Sequence, residues 1–243
     1  MIQLTSPEIT RMHFRRFSIT LLLISYYAAA SAQDETFGVW TTLEVQKKYQ
    51  KWDFAAATEL RTSGFYSSVD RVSLQLEASY EIAKAFKIGA NYEGIDTYDT
   101  KYNDYQLRNR FGIFVQGKQK FGDFTFILRE KIQLTTKDDS DRIKSNGEID
   151  TYKIDPDLVW RNKLKVKYNI PKFPVTPSLS AETFFQLNNP DGYMFEKLRY
   201  TLSFDYKIAK RQHIELYGLV NSEIYGSNQG NTYVLGLTYS FTF

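Results

Sequence analysis

The last residues of the chain, Thr232-Tyr-Val-Leu-Gly-Leu-Thr-Tyr-Ser-Phe-Thr-Phe243, alternate strictly between two chemistries. Tyr233, Leu235, Leu237, Tyr239, Phe241 and Phe243 fall on one face, and Thr232, Val234, Gly236, Thr238, Ser240 and Thr242 on the other. A period of two marks a strand whose faces meet different surroundings. An apolar stripe running to an aromatic C-terminus is the pattern of the closing strand of a bacterial outer-membrane β-barrel. In such strands the terminal aromatics, here Tyr239, Phe241 and Phe243, act as an assembly signal. The barrel-assembly machinery is therefore an expected partner.

The N-terminus points to the same compartment. Arg15 and Arg16 precede the apolar run Phe17–Ala28, and Ala30-Ser31-Ala32 has the small-x-small form of a signal-peptidase site. The run is too short for a bilayer-spanning helix. Residues 1–32 thus read as a signal peptide cleaved after Ala32, and residues 33–243 as one outer-membrane β-barrel domain. Met12 opens a more ordinary signal peptide than Met1, so either is a candidate start. Removing residues 1–32 takes away Arg11, Arg15, Arg16 and Glu8, and the formal charge falls from 31 − 28 = +3 to 28 − 27 = +1. The basic balance is therefore partly a targeting feature, and no nucleic-acid partner is expected. Without cysteine the chain has neither disulfides nor a thiolate metal site.

Eleven segments of the mature chain show period-two patterning, each long enough for a tilted crossing of roughly 9–11 residues. In 71–82, Val72, Leu74, Leu76, Ala78, Tyr80 and Ile82 alternate with Arg71, Ser73, Gln75, Glu77, Ser79 and Glu81. Segments 105–117, 158–168 and 198–208 are as clear, and others lie near 36–48, 52–62, 85–95, 122–135, 175–187, 213–223 and 231–243. Their connections alternate between short and long, as periplasmic turns and extracellular loops do. With Phe243 at the periplasm, every short turn falls on that side. The expected fold is all-β, a transmembrane antiparallel up-and-down barrel of 10–12 strands. Single-chain bacterial barrels normally have an even number of strands. Either 36–48 is an incomplete crossing, giving ten, or a further strand makes twelve.

The charged residues opposite the apolar stripes gather in the outer half of such a barrel. They are Glu59, Arg61, Arg71, Arg108, Arg110, Arg129, Lys131, Arg161, Lys163, Glu182, Lys197 and Arg199. Inward is the only inexpensive direction for them, because a Lys or Arg on the lipid face costs about 2–4 kcal/mol at the midplane. Two readings stay open. A lumen-lining cationic belt favours a small anionic or sugar-acid solute. Alternatively, the cations pair with Glu59, Glu77, Glu93 and Glu182 to fill a closed interior. Glu130 falls on the apolar face between Leu128 and Ile132, which calls for a local bulge or a position at the headgroup boundary.

Glu59-Leu-Arg61, Arg108-Asn-Arg110-Phe, Arg129-Glu-Lys131, Trp160-Arg-Asn-Lys-Leu164, Glu182-Thr-Phe-Phe-Gln-Leu-Asn188 and Lys197-Leu-Arg199 follow one another along the chain. In that order and strand placement they resemble the DUF2490 group of predicted outer-membrane proteins, the Bacteroidetes type among them. Lys131 and Lys163 stand where that pattern would have arginine. The resemblance covers essentially the whole mature chain. It implies a barrel in the outer membrane, beside its lipid and lipopolysaccharide, and no particular activity.

Catalytic chemistry is sparsely supplied. His213 is the only histidine after residue 32, it follows a short turn, and no Gly-x-Ser-x-Gly or His-Glu-x-x-His motif is present. Neither a catalytic site nor a cofactor is expected. The segment 136–157 holds Asp138, Asp139, Asp141, Asp150, Asp155 and Asp157 without EF-hand spacing, so it reads as a hydrated surface loop rather than a metal site. Trp52, Tyr80, Tyr168 and Tyr206 at one end, with Tyr105 and Trp160 at the other, read as interfacial girdles.

Overall fold

Eleven strands close on themselves in one sheet in the computed structural model, which describes residues 36–64, 68–99, 102–137, 141–143, 147–151, 156–189, 192, 194–224 and 230–243. The strands are β1 (Thr36–Tyr49), β2 (Trp52–Ser63), β3 (Ser68–Ala83), β4 (Phe86–Asp99), β5 (Asp104–Phe121), β6 (Phe124–Lys137), β7 (Asp141–Ile143), β8 (Ile149–Thr151), β9 (Asp157–Tyr168), β10 (Val175–Gln186), β11 (Phe195–Ala209), β12 (Gln212–Glu223) and β13 (Gly230–Thr242). β7 and β8 form a separate two-stranded sheet, and all the others belong to the barrel. Residues 1–32, expected to be a signal peptide, lie outside the described residues, as do Asp138, Asp139 and Asp155 of the aspartate-rich loop.

Around the barrel each strand pairs antiparallel with its neighbour, with one exception. β1 lies parallel to β13, from Thr36 opposite Thr232 to Gln46 opposite Thr242. The even count of ten or twelve is thus corrected to eleven. β1 is a full crossing, paired over its whole length with β2 from Tyr49/Trp52 to Gly38/Ser63. With an odd count, β1 and β13 must run the same way, and parallel pairing closes the sheet at a small cost in stability per residue.

The connections sort by end. Gln50-Lys51, Lys84-Ala85, Gly122-Asp123 and Lys210-Arg211 are two-residue turns, and residues 169–174 join β9 to β10 at the same end. Gly122 supplies the positive φ that so tight a hairpin needs, at 57°. The opposite end carries the connections 64–67, 100–103, 138–156, 187–194 and 224–229. Phe243 lies at the short-turn end, where its N–H donates to the Gln46 carbonyl at 2.9 Å.

Burial is inverted relative to a water-soluble sheet. Ile113 is 65% exposed, Leu179 58% and Leu74 54%, while Ser79, Gln106, Glu182 and Ser203 are almost fully buried. A continuous outer surface of this kind is far larger than the apolar patches soluble monomers expose, and a bilayer is what covers it. Aromatic residues pack near both rims: Trp52 against Tyr80 and Phe124 against Tyr168 at the short-turn end, Tyr98 against Tyr105 and Trp160 against Phe185 at the other.

Glu130 differs from both placements expected of it. The register runs through Val115/Glu130 and Glu130/Asn162 without a bulge, so its side chain stays outward. On β6 the outward positions Phe124, Phe126 and Leu128 precede it and Ile132 and Leu134 follow, which puts it mid-stripe rather than at a boundary. The Trp160 indole N–H donates to its carboxylate at 2.9 Å.

Candidate functional site: a basic chamber in the lumen

Inside the barrel, alternation decides which side chains face the lumen, since every second residue of each strand points there. The half of the lumen toward the long loops contains a chamber of about 460 Å³. All of Glu59, Arg61, Arg71, Arg108, Arg110, Arg129, Lys131, Arg161, Lys163, Glu182, Lys197 and Arg199 line it. Gln75, Glu77, Glu93, Gln133, Thr135, Asp157, Val159, Phe184, Gln186 and Glu196 complete the wall. Ten cations face six carboxylates, a net 10 − 6 = +4.

Two carboxylates organise most of the arginines. Glu93 accepts from Arg71 on the neighbouring β3 and from Arg110 on β5, the latter at 3.0 Å. Glu182 accepts from Arg161 Nη2 at 2.7 Å and Nε at 3.0 Å, and Arg199 Nη1 lies 3.8 Å away. Arg61 Nε donates to Glu59 at 2.6 Å, and Lys197 pairs with Glu223 at 3.1 Å. Arg108 donates twice to the Gln106 side-chain oxygen Oε1, at 2.9 and 3.1 Å. Lys131 and Lys163 have no carboxylate within ion-pair distance among the described residues.

Rings extend this network inward. The Arg61 guanidinium sits 3.6 Å from the Trp40 ring centre and that of Arg129 3.6 Å from Phe114, while Arg161 and Arg199 flank Phe184 at 4.7 and 5.1 Å. The Phe114 and Tyr217 rings lie flat over the neighbouring strand only because their register partners there are glycines. A Cβ on Gly89 would lie 2.4 Å from Phe114 Cζ, and one on Gly236 only 1.9 Å from Tyr217 Cζ. Trp40, Leu219 and Val234 form a buried apolar cluster with Tyr217 against it.

These inward rings are the functional residues that charge reading passed over. Their parity was legible: Phe114 shares the face of Arg108 and Arg110, and Phe184 that of Glu182. That their rings reach into the lumen depends on which residues oppose them.

A smaller cavity of about 250 Å³ opens toward the short turns, lined by Glu44, Asp53, Lys87 and Thr242 among others. Glu77 lines both cavities. From β3 it accepts from Arg129 Nη2 on β6 at 2.6 Å, reaching past β4 and β5. Lys165 on β9 and Glu215 on β12 make a similar long reach at 3.2 Å. Glu77, held by Arg129 whose guanidinium packs on Phe114, is thus the side chain common to the two cavities.

His213 occupies the short-turn end of β12. Its Nδ1 is 3.2 Å from Asp205 Oδ1, and Ser240 stands opposite it in the register. The Ser240 hydroxyl, however, donates to Glu44 at 2.8 Å rather than to the imidazole. The nucleophile-to-base bond that hydrolytic triads use is not made in this arrangement. No group of three or more candidate metal ligands gathers among the described residues.

A family model described as a protein of unknown function, DUF2490, matches residues 37–232, almost the entire barrel. The chain belongs to the DUF2490 family. No curated protein matches this family member. Among solved structures, a NanC porin is similar at 13% identity, covering 81% of this chain and 93% of that one with a TM-score of 0.50. The β domain of the Bordetella autotransporter BrkA (10% identity, 77% and 82% covered, TM-score 0.47) is also similar. So is the translocator domain of the autotransporter NalP from Neisseria meningitidis (15%, 76% and 72%, TM-score 0.45). At 13% identity the likeness to the NanC porin establishes the fold of this DUF2490 barrel and nothing finer.

Proposed function

We propose that this DUF2490 protein is an outer-membrane channel for small anionic or sugar-acid solutes. Its short turns and C-terminus would face the periplasm and its long loops the exterior. The observation that carries the reading is the chamber wall, where ten cations oppose six carboxylates. Such a field draws anions from solution, and Arg/Lys linings select for them in anion pores. The likeness to a protein named as a porin is compatible with this role. The signal sequence and the terminal Tyr239, Phe241 and Phe243 support export and handling by the assembly machinery.

One observation favours a second reading, a non-conducting barrel. Glu77, which lines both cavities, is held by Arg129, whose guanidinium packs on the Phe114 ring. In the channel reading they form the constriction through which solute passes. Conductance of the refolded protein in planar bilayers tests this directly. The channel reading expects anion-selective conductance that rises in Glu77→Gln and in Phe114→Ala. Silence of all three proteins in every salt, with or without anionic sugars, would leave the filled barrel.

A further inference from the structure

Strands β6 and β9 place four cations on one patch of the chamber wall. Arg129 lies directly opposite Lys163, and Lys131 directly opposite Arg161. Like charges directly opposite each other destabilise an antiparallel pair, and here two such rungs are adjacent. The arginines are compensated by Glu77 and Glu182. The lysines make no ion pair among the described residues. Glu182 stands across from Lys163 on its other side but is already engaged by Arg161 and Arg199.

The two lysines are diagonal neighbours, about 7–8 Å apart and somewhat closer at Cβ, so both flexible stems can reach one ligand. The stem of Lys131 crosses Gly112, where a Cβ would come within 2.5 Å of its Cε and equally near the Asn91 carboxamide oxygen. Asn91 is only 6% exposed, yet neither its Nδ2 nor its Oδ1 has a hydrogen-bond partner among the described residues. Buried amides are nearly always paired. Two ammonium groups without an ion-pair partner, both lining a chamber of about 460 Å³, are the elements of a small-ligand site.

We infer that Lys131 and Lys163 form a two-point site for a dianionic solute of the dicarboxylic sugar-acid class. This deepens the channel reading and rests on the same basic chamber, but it does not require conduction. Isothermal titration of the refolded full-length barrel with galactarate, galactonate and galactitol varies the ligand charge on one carbon skeleton. Galactarate should bind at least about tenfold more tightly than galactonate, as a second charge-assisted contact provides, and galactitol should not bind. Lys131→Gln and Lys163→Gln should each reduce galactarate to the level of galactonate, whereas Lys210→Gln, in a turn at the far end, should change nothing. Equal affinity for all three ligands, or galactarate binding untouched by both chamber variants, would overturn the site. Binding by a barrel that does not conduct keeps the site and removes the channel. Conductance without the charge dependence does the reverse.

Discussion

Glu182 is the residue on which the charge balance of the chamber turns, and replacing it tests the packing directly. Its side chain is 5% exposed, and those of Arg161 and Arg199 are 19% and 18% exposed. Glu182→Ala leaves two guanidinium groups and Lys163 facing one another and takes the wall from ten cations against six carboxylates to ten against five. Removing one member of a buried ion pair costs about 3–5 kcal/mol, because the surviving charge stays desolvated. The arginines retain some access to the polar chamber, which sets the expectation near the lower end, about 3 kcal/mol. Glu182→Gln keeps an acceptor for one guanidinium and should cost roughly half as much. Equilibrium urea unfolding of the barrel in lipid vesicles, followed by tryptophan fluorescence, reads both values. A double-mutant cycle with Arg161→Ala then isolates the pair. If Glu182→Ala unfolds within about 0.5 kcal/mol of the parent, or the cycle is additive, Glu182 is not the counter-charge and the electrostatic account of the chamber fails.

Three further outcomes follow from the geometry. Gly236→Leu should destabilise the barrel by at least about 1–3 kcal/mol in the same unfolding assay, since even a Cβ would overlap the Tyr217 ring. Combining it with Tyr217→Ala should recover much of the loss. Glu130→Leu should raise stability by about 1 kcal/mol, because a mid-stripe carboxylate in lipid costs more than one indole hydrogen bond returns, and a destabilised variant would contradict that balance. Thr42→Cys with Thr238→Cys should cross-link through a short bifunctional thiol reagent, since the native chain has no cysteine and these positions are register partners across the parallel seam. Absence of the cross-link in the folded protein would argue against closure by eleven strands.

The sequence resolved most of the wall and little of the interior. The eleven strands, the sorting of short turns from long loops and the lumen face of the twelve belt residues all follow from period-two alternation. That signal is local, because lipid on one side and polar groups on the other act on every residue separately. Glu130 was visible as an anomaly, but its partner was not. Trp160 lies two residues from the strand position opposite Glu130, and only the register brings its indole there.

The strand count illustrates the boundary. Eleven patterned segments were present in the sequence, yet an even-number habit argued against them. Parallel pairing of β1 with β13 is a property of closure, which no single strand encodes. The same holds for the chamber. Alternation placed Lys131 and Lys163 on the lumen face, but that they lack partners follows from Glu77 reaching past two strands to Arg129 and Glu182 being shared by two arginines. By itself the sequence determined which side of each strand meets lipid. The tertiary structure decided which charges neutralise one another, because ion pairs across a lumen depend on register and on distances between strands that are far apart in the chain.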